Sequence, residues 1–395
     1  MDLSDAPGRS LRKLREDGVA EVLQKGTEVL VDDVIIYQGI YKNLLRDHID
    51  FIQREELRNW KKSYVFDEYS KPLRFKGPTG FRDLDTPDRY TPGQRFVSEI
   101  SDATLLGPVG PGRTNRGRVI ADTVGTPPLT SRRVGVSLAQ SMTTNGLRRT
   151  LSALSGNMVP DKQFETATLA ATPWDNYYHW TVECLVRVRL LERYGAETGV
   201  YPTLLVPSNC ASWMTESLDI IDYNGKIACF GEGIATVDTL VIPTFPDPIP
   251  AECFWLHDRM RENGLGDYER GDRIYVSRSD ATVRRVSNQD DIKRTLDTYG
   301  IDTYVLGDFT VREQIDLFSS AEFVIAPHGA GLTNILYGDE LTVVELFGDK
   351  IMASFDRLAE NMGHEYHYLQ CEQDGLDIHV DKNKLAILLE QLLSE

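Results

Sequence analysis

The chain commits itself to an α/β fold between Ala321 and Leu346, where it reads AEFVIAPHGAGLTNILYGDELTVVEL. Phe323–Ala326 and Thr342–Leu346 are unbroken apolar runs, of the kind that strands buried in a parallel sheet show. Pro327 ends the first run, His328-Gly329-Ala330-Gly331 makes a tight turn, and Leu332–Tyr337 begins a helix. A glycine turn between a buried strand and a helix lets the backbone approach a ligand closely. It also aims free N–H groups and the positive end of the helix dipole at an anion such as a phosphate or diphosphate. Taken alone, the four residues serve equally well as a tight strand–helix connection.

The rest of the chain supplies the context. Its 395 residues leave room for two or three domains, and a 41% hydrophobic content is that of an ordinary soluble globular protein. A net charge of -17 argues against nucleic acid as a partner, which would need a basic face. Lys supplies only 13 of the 43 basic residues. An acidic, Lys-poor and Arg-rich surface fits a halophilic protein, because concentrated salt screens self-repulsion; an acidic cytosolic protein is the plainer alternative. The five cysteines, Cys184, Cys210, Cys229, Cys253 and Cys371, contain no CxxC pair and several lie in apolar runs, as buried reduced thiols do. The first residues, MDLSDAPGRSLRKL, lack the apolar core of a signal peptide, and no stretch approaches the ~20 apolar residues that span a bilayer. A soluble, cytoplasmic protein is expected, with room for peripheral contact at the inner face of the membrane.

Four regions are expected. Residues 1–63 form a helical extension, with apolar residues at helical spacing from Leu11 to Ile52. Its basic residues Arg9, Arg12, Lys13 and Arg15 suit either anionic lipid or, more simply, a solvated helix face. Residues 64–159 are rich in Gly, Pro and Thr and read as a small β-rich segment with long loops. From about residue 160 strands and helices alternate. Strands are expected at Ala167–Ala171, Thr203–Val206, Ile227–Phe230 and Thr239–Ile242, with a helix of about 18 residues from Asn176. The Pro-rich stretch Pro243–Pro250 divides this series from a second one, which opens with a helix at Ala251–Asn263 and a strand at Arg273–Ser277. A helix at Gln289–Tyr299, a strand at Asp302–Leu306, a helix at Val311–Ser320 and a closing helix at Lys382–Leu393 complete it, the last free to pack back across the first series. Two such series predict two Rossmann-like domains, 160–250 and 251–395, facing each other across a cleft.

Three groups of residues carry chemistry. Trp174-Asp175-Asn176-Tyr177-Tyr178-His179-Trp180 follows a strand and enters a helix, the usual place for a ligand in an α/β domain. Glu183 is four residues past His179, on the same helix face, where a carboxylate holds an imidazole in one tautomer and raises its basicity. The aromatic residues here suit a sugar ring, or simply the core. Arg278 sits at the carboxyl end of the Arg273–Ser277 strand, and Arg284 and Arg285 follow; their planar forks match phosphate oxygens, or pair with nearby aspartates. Arg278 is the one expected to matter most. Glu345, at the end of the strand after the glycine turn, has the chemistry to accept both hydroxyls of a ribose, although a lone strand-end Glu is more often structural.

Absences narrow the field. There is no GxxxxGKS or GxxxxGKT loop and no GxSxG nucleophile elbow, and GEGIAT at 231–236 is not a dinucleotide fingerprint. His364 and His367 lack further ligands at metal spacing and read as structural. Asp83-Leu84-Asp85 has the form of a metal-binding DxD but lies among turn residues.

Together these pieces resemble glycosyltransferase family 61, whose bacterial and archaeal members include capsular polysaccharide biosynthesis proteins. The resemblance rests on Asn176-Tyr177-Tyr178-His179 with Glu183, on Tyr275-Val276-Ser277-Arg278-Ser279-Asp280-Ala281 with Arg285 and Asn288, and on Glu313-Gln314-Ile315 before Pro327-His328-Gly329-Ala330-Gly331-Leu332-Thr333-Asn334. It covers roughly residues 165–350 and hardly touches the first 150. It implies a GT-B-like α/β architecture of two facing Rossmann-like domains, and transfer of a sugar, with inversion and without a metal, from a nucleotide-diphosphate donor such as a UDP-sugar. The acceptor would be a hydroxyl of a glycan or lipid-linked acceptor in cell-surface polysaccharide or glycoprotein glycan synthesis. It further implies that His179 or Glu183 is the base. Arg278, Arg285, His328 and the N–H groups of Gly329, Ala330 and Gly331 would hold the leaving diphosphate. Glu345 and Asn334 would hold the nucleoside, and Asn176, Tyr178 and Trp180 the acceptor or sugar. A non-catalytic sugar-nucleotide or glycan-binding protein on the same fold is the rival, since fold does not fix function.

If the acidic, Arg-rich composition is a salt adaptation, the melting temperature should keep rising with KCl past 1 M, where the Debye length has shrunk to about 3 Å. Differential scanning calorimetry across a KCl series checks this, and a maximum at low salt would count against it.

Overall fold

The computed structural model describes residues 39, 41–43, 47, 49–66, 73–74, 89–90, 93–125, 130–157, 159–246, 248–266, 271–349 and 351–393. Most of the expected N-terminal helical extension, with its basic residues, lies outside the described residues, as does Asp83-Leu84-Asp85. Where that extension is described it is not wholly helical. Phe51–Ile52 is a strand (β1), Arg54–Arg58 a short helix and Ser63–Phe66 a strand (β2). The reason is tertiary: β1 completes a sheet by pairing with Val119–Ile120, and β2 pairs with Arg95–Phe96 and their neighbours, so Ile52 and Leu57 become core residues.

The remaining strands are β3 (Leu73–Arg74), β4 (Arg89–Tyr90), β5 (Arg95–Leu106), β6 (Gly112–Arg113), β7 (Val119–Ile120), β8 (Lys162–Leu169), β9 (Thr203–Val206), β10 (Ile227–Cys229) and β11 (Ile234–Pro243). They continue with β12 (Arg273–Ser277), β13 (Asp302–Val305), β14 (Phe323–Pro327), β15 (Thr342–Phe347), β16 (Glu365–Gln370), β17 (Glu372–Asp374) and β18 (Asp377–His379). Strand β14 includes Pro327, which costs the ladder only a donor and no acceptor.

Among the described residues these strands build two main sheets. The first has nine strands in the order β1-β7-β6-β5-β11-β8-β9-β10, with β2 branching from β5. Its β10-β9-β8-β11 part is parallel, and read in chain order it runs 3-2-1-4. The long β5 lies antiparallel to β11, from Ile234 opposite Leu106 to Pro243 opposite Val97. Residues before and after 160 thus share one sheet. The segment 64–159 also contains two helices that its Thr, Ser and Gly content concealed, Thr130–Asn145 and Leu147–Ser155. In the first, Val134, Leu138 and Met142 recur every four residues and are buried.

The second sheet, β13-β12-β14-β15-β16, is parallel throughout and runs 2-1-3-4-5 in chain order. Both orders reverse direction at one point, between β8 and β11 in the first sheet and between β12 and β14 in the second. Crevices for ligands open at the carboxyl ends of strands at such points.

Helices fill the space between the sheets. The largest apolar cluster joins Trp180, Leu190 and Leu218 from the first series to Val276, Ile335 and Phe355 from the second. The helix Pro250–Gly264, which the Pro-rich stretch leads into, buries Cys253, Leu256 and Met260 in that cluster. At its start Glu252 receives two hydrogen bonds from Arg95 of β5, at 2.6 and 2.9 Å, with both side chains out of contact with water. The closing helix Lys382–Leu393 stays with its own sheet instead of crossing to the first series. Leu385 and Leu389 pack with Tyr275, Ile292 and Leu296, and Ala386 O accepts from the Tyr299 hydroxyl at 3.1 Å. Among the described residues no helix is long and apolar enough to cross a membrane.

The Arg95–Glu252 pair yields a direct test. Glu252→Ala leaves a guanidinium buried without its partner and should destabilise the protein by about 3–5 kcal/mol, whereas Arg95→Met with Glu252→Leu should recover much of that loss. Urea unfolding of the two variants measures the difference.

Candidate active site

Each switch point carries a histidine held by a carboxylate. At the first, β8 ends at Leu169 and the chain turns through Trp174 into Asn176, whose side chain caps a short helix by accepting from His179 N–H at 3.1 Å. The helix then widens into one π turn, Trp180–Leu185, a distortion that recurs at functional sites. His179 Nδ1 lies 3.0 Å from Glu183 Oε1 but is not aligned for a good hydrogen bond in this state. Its side chain is 21% exposed while that of Glu183 is 9% exposed. Arg133, from the helix Thr130–Asn145, grips Glu183 with two bonds of 2.7 and 3.1 Å. Burial pushes the Glu183 carboxyl up, but His179 and Arg133 more than offset it and hold the group below the ordinary carboxylate range. The Arg133 guanidinium lies over the rings of Trp174 and Phe245, at 4.6 and 4.9 Å. Arg187 lies over Phe245 as well and donates to Leu169 O and Glu183 O, so it ties the ends of β8 and β11 to the π turn.

At the second switch point Arg278 leaves the end of β12 and lies flat on Gly329. A Cβ at Gly329 would stand 1.8 Å from Arg278 Nη1. The backbone there is extended, so glycine is needed for the close approach and not for its dihedrals. Among the described residues Arg278 has no carboxylate partner; Nη2 donates to Val283 O at 3.3 Å and Nε is buried without a partner. Burial, and then the charge of nearby Arg284, push Arg278 down to about 10. The segment Ala330–Tyr337 is a 3-10 helix, and the N–H groups of Ala330 and Gly331 open it, where donors have no partner within the helix. His328 Nδ1 is hydrogen-bonded to Glu345 Oε1, and its ring lies over Phe347 at 5.5 Å. Tyr366 donates to the other Glu345 oxygen at 2.6 Å.

Several expected roles change as a result. Glu345 is fully buried and both its oxygens are engaged, so it is a support for His328 and not an open ribose acceptor. Burial raises its pKa against the pull of His328, Tyr366 and Arg284. Asn334 is equally buried; it accepts from Tyr177 hydroxyl at 2.9 Å and donates to Gln314 Oε1 and Gly331 O, which leaves it structural. Trp180 is core, its indole N–H donating to Ser217 at 2.8 Å. Asn176 is a helix cap. Arg285 pairs with Asp377 at 2.8 Å on the β17–β18 hairpin, so it is not an open phosphate ligand. Tyr178 stands edge-on between His179 and Phe355, at 5.3 and 5.5 Å, and Phe355 touches His328 at 5.4 Å. This chain of rings brings the two histidines to either side of a two-ring spacer.

Sequence spacing had no means of finding Arg133 or Tyr366, because each reaches its glutamate from a distant element. His364 bonds backbone at both ring nitrogens and His367 meets Glu365 at the surface. Among the described residues no group of three or more His, Cys, Asp or Glu is placed to hold a metal ion.

The geometry defines an α/β protein in which a histidine–carboxylate pair past one parallel strand and an arginine–histidine cluster past another are joined by a chain of rings. Residues 177–344 match the family model described as Glycosyltransferase 61, which identifies glycosyltransferase family 61 as the family this chain resembles. No curated protein matches the chain. The matched segment runs from Tyr177 to Val344 within β15, and so takes in His179, Glu183, Arg278, His328 and the glycine turn but not Arg133, Glu345 or Tyr366.

The depressed Glu183 pKa carries a stability consequence. A carboxyl lowered in the folded state stabilises the protein above the unfolded value, about pH 4.3, and that contribution is lost as pH falls through the folded value. Arg133→Gln removes one cause, so the acid limb of stability should flatten relative to the parent. Urea midpoints from about pH 3 to 6 measure it.

Proposed function

We propose that the protein is an inverting glycosyltransferase that moves a sugar from a nucleoside-diphosphate donor, a UDP-sugar first, to a hydroxyl of a glycan or lipid-linked acceptor. The observation that carries this reading is the pairing of His179 with an Arg-clamped Glu183 across the ring spacer from the Arg278–His328 seat. The strand orders 3-2-1-4 and 2-1-3-4-5 support an acceptor-side and a donor-side half arranged in the GT-B manner. The family match supports transferase chemistry over both halves.

In this reading His179 is the base and Glu183 orients it. Arg133 keeps the Glu183 carboxylate ionised and makes it a poor proton acceptor at neutral pH. With Nδ1 turned to Glu183, His179 Nε2 takes the acceptor O–H proton as that oxygen forms its bond to the anomeric carbon. The bond from that carbon to the diphosphate oxygen breaks, and its electron pair leaves with the nucleoside diphosphate. Arg278, His328 and the N–H groups of Gly329, Ala330 and Gly331 meet the charge that grows there. These protein cations do the work of a divalent metal, which makes the transfer metal-independent.

The test begins with a panel of UDP-, GDP- and dTDP-sugars, screened by thermal stabilisation and slow donor hydrolysis. With the donor identified, His179→Ala should bind the nucleoside diphosphate as the parent does and lose about 10²–10⁴-fold in turnover. Glu183→Gln should lose less. Parental turnover in His179→Ala would remove this residue as the base, and greater damage from Glu183→Gln than from His179→Asn would transfer the role to Glu183.

A further inference from the structure

The loop after β12 contains the feature that the proposed chemistry leaves unused. Arg284 adopts a left-handed backbone conformation, φ 59°, which a side chain with a Cβ takes only under strain. A glycine would sit there freely. Its Nε is buried without a hydrogen-bond partner, and among the described residues its guanidinium pairs with no carboxylate. It lies close enough to Arg278 for the two like charges to repel, and close enough to Glu345 to feel that carboxylate beneath His328.

The strained loop is held by the β17–β18 hairpin. Arg284 N–H donates to Leu376 O at 2.8 Å, Ile378 N–H to Arg285 O at 2.9 Å and Ser287 N–H to Ile378 O at 2.9 Å. Asp377 accepts from both the backbone N–H and the guanidinium of Arg285. Asp377 of the hairpin is thus engaged by Arg285, while neither Arg278 nor Arg284 forms an ion pair with a carboxylate among the described residues. Two half-buried like charges, each with its Nε buried and unbonded, are costly to hold near one another on a strained backbone, and an anion between them would offset that cost.

We infer that Arg284 is the second guanidinium of the diphosphate seat, and that Arg285 is a positioning residue that acts through Asp377 to hold the loop. This rests on the donor-site reading above and deepens it by dividing the three arginines into two ligands and one brace.

Calorimetric titration of the full chain with inorganic pyrophosphate tests both layers, because the probe needs no knowledge of the nucleoside. Arg284→Gly should melt at or above the parent temperature, since it relieves the strain, and yet lose roughly 10- to 100-fold in pyrophosphate affinity, as Arg278→Ala does. Arg284→Asn, which also tolerates this backbone, should bind as weakly. Arg285→Ala and Asp377→Ala should each cost a similar, smaller factor, should not add when combined, and Arg285→Lys should restore binding. Parental affinity in Arg284→Gly alongside weak binding in Arg278→Ala would overturn the inference and leave the donor site standing. So would tighter binding in Asp377→Ala with weaker binding in Arg285→Ala, because Arg285 would then be the ligand. A parent that binds no pyrophosphate, or an Arg278→Ala variant that binds like the parent, would overturn the donor-site reading and the inference with it.

Discussion

The Tyr177 hydroxyl sets the register between the two halves of the molecule. It donates to Asn334 Oδ1 and lies 3.2 Å from the Tyr337 hydroxyl, against two fully buried partners. Tyr177 is two residues before His179, and Asn334 donates in turn to the carbonyl of Gly331. One hydrogen-bonded network therefore spaces His179, on the helix after β8, from the glycine turn after β14. Apolar packing between the sheets is strong but non-directional. A satisfied polar network within it selects one arrangement over neighbouring ones of similar burial, because any slip would leave buried donors and acceptors unpaired.

The two histidine–carboxylate pairs differ in physics. Glu183 carries a charge matched by the two bonds from Arg133, so its ionised form is favoured despite burial. Glu345 is supported by a tyrosine hydroxyl, and burial dominates, so its carboxyl is pushed upward. The first histidine is partly open to solvent beside a fixed anion, the second is enclosed by Phe347 and Phe355. An exposed imidazole oriented by a permanent anion suits proton abstraction. An enclosed one near guanidinium groups that have no carboxylate partner among the described residues suits the stabilisation of an anion.

Much of the α/β part was legible because its elements are local and strongly patterned. The strands Thr203–Val206 and Arg273–Ser277 and the helices Val311–Ser320 and Lys382–Leu393 lie where apolar periodicity places them. The helix Thr130–Asn145 was hidden by Thr, Ser and Gly, whose propensities favour caps and turns, although its Val134–Leu138–Met142 stripe was present. The β-rich segment was recognisable as such, but its union with the first α/β sheet was not, since pairing between β5 and β11 joins residues more than a hundred positions apart. The site was legible to the same degree. Arg278, His328 and the glycine turn stood out because they follow the ends of apolar strands, and His179 and Glu183 because they are four residues apart on one helix face. Arg133, Tyr366 and the hairpin around Asp377 did not, because their roles are defined by what they touch.

The sequence by itself determined which residues are polar and reactive at the carboxyl ends of buried strands, because a strand's apolar run and its terminating turn are written in adjacent positions. Only the tertiary structure decided what those residues are free to do. It committed Glu345 to His328 and Tyr366, Asn334 to Tyr177 and Arg285 to Asp377, and it left Arg278 and Arg284 without carboxylate partners among the described residues. The physical reason is that a charged or polar group has its chemistry set by burial and by its nearest partner, and partners in a folded chain are chosen by packing across distances that no spacing rule reaches.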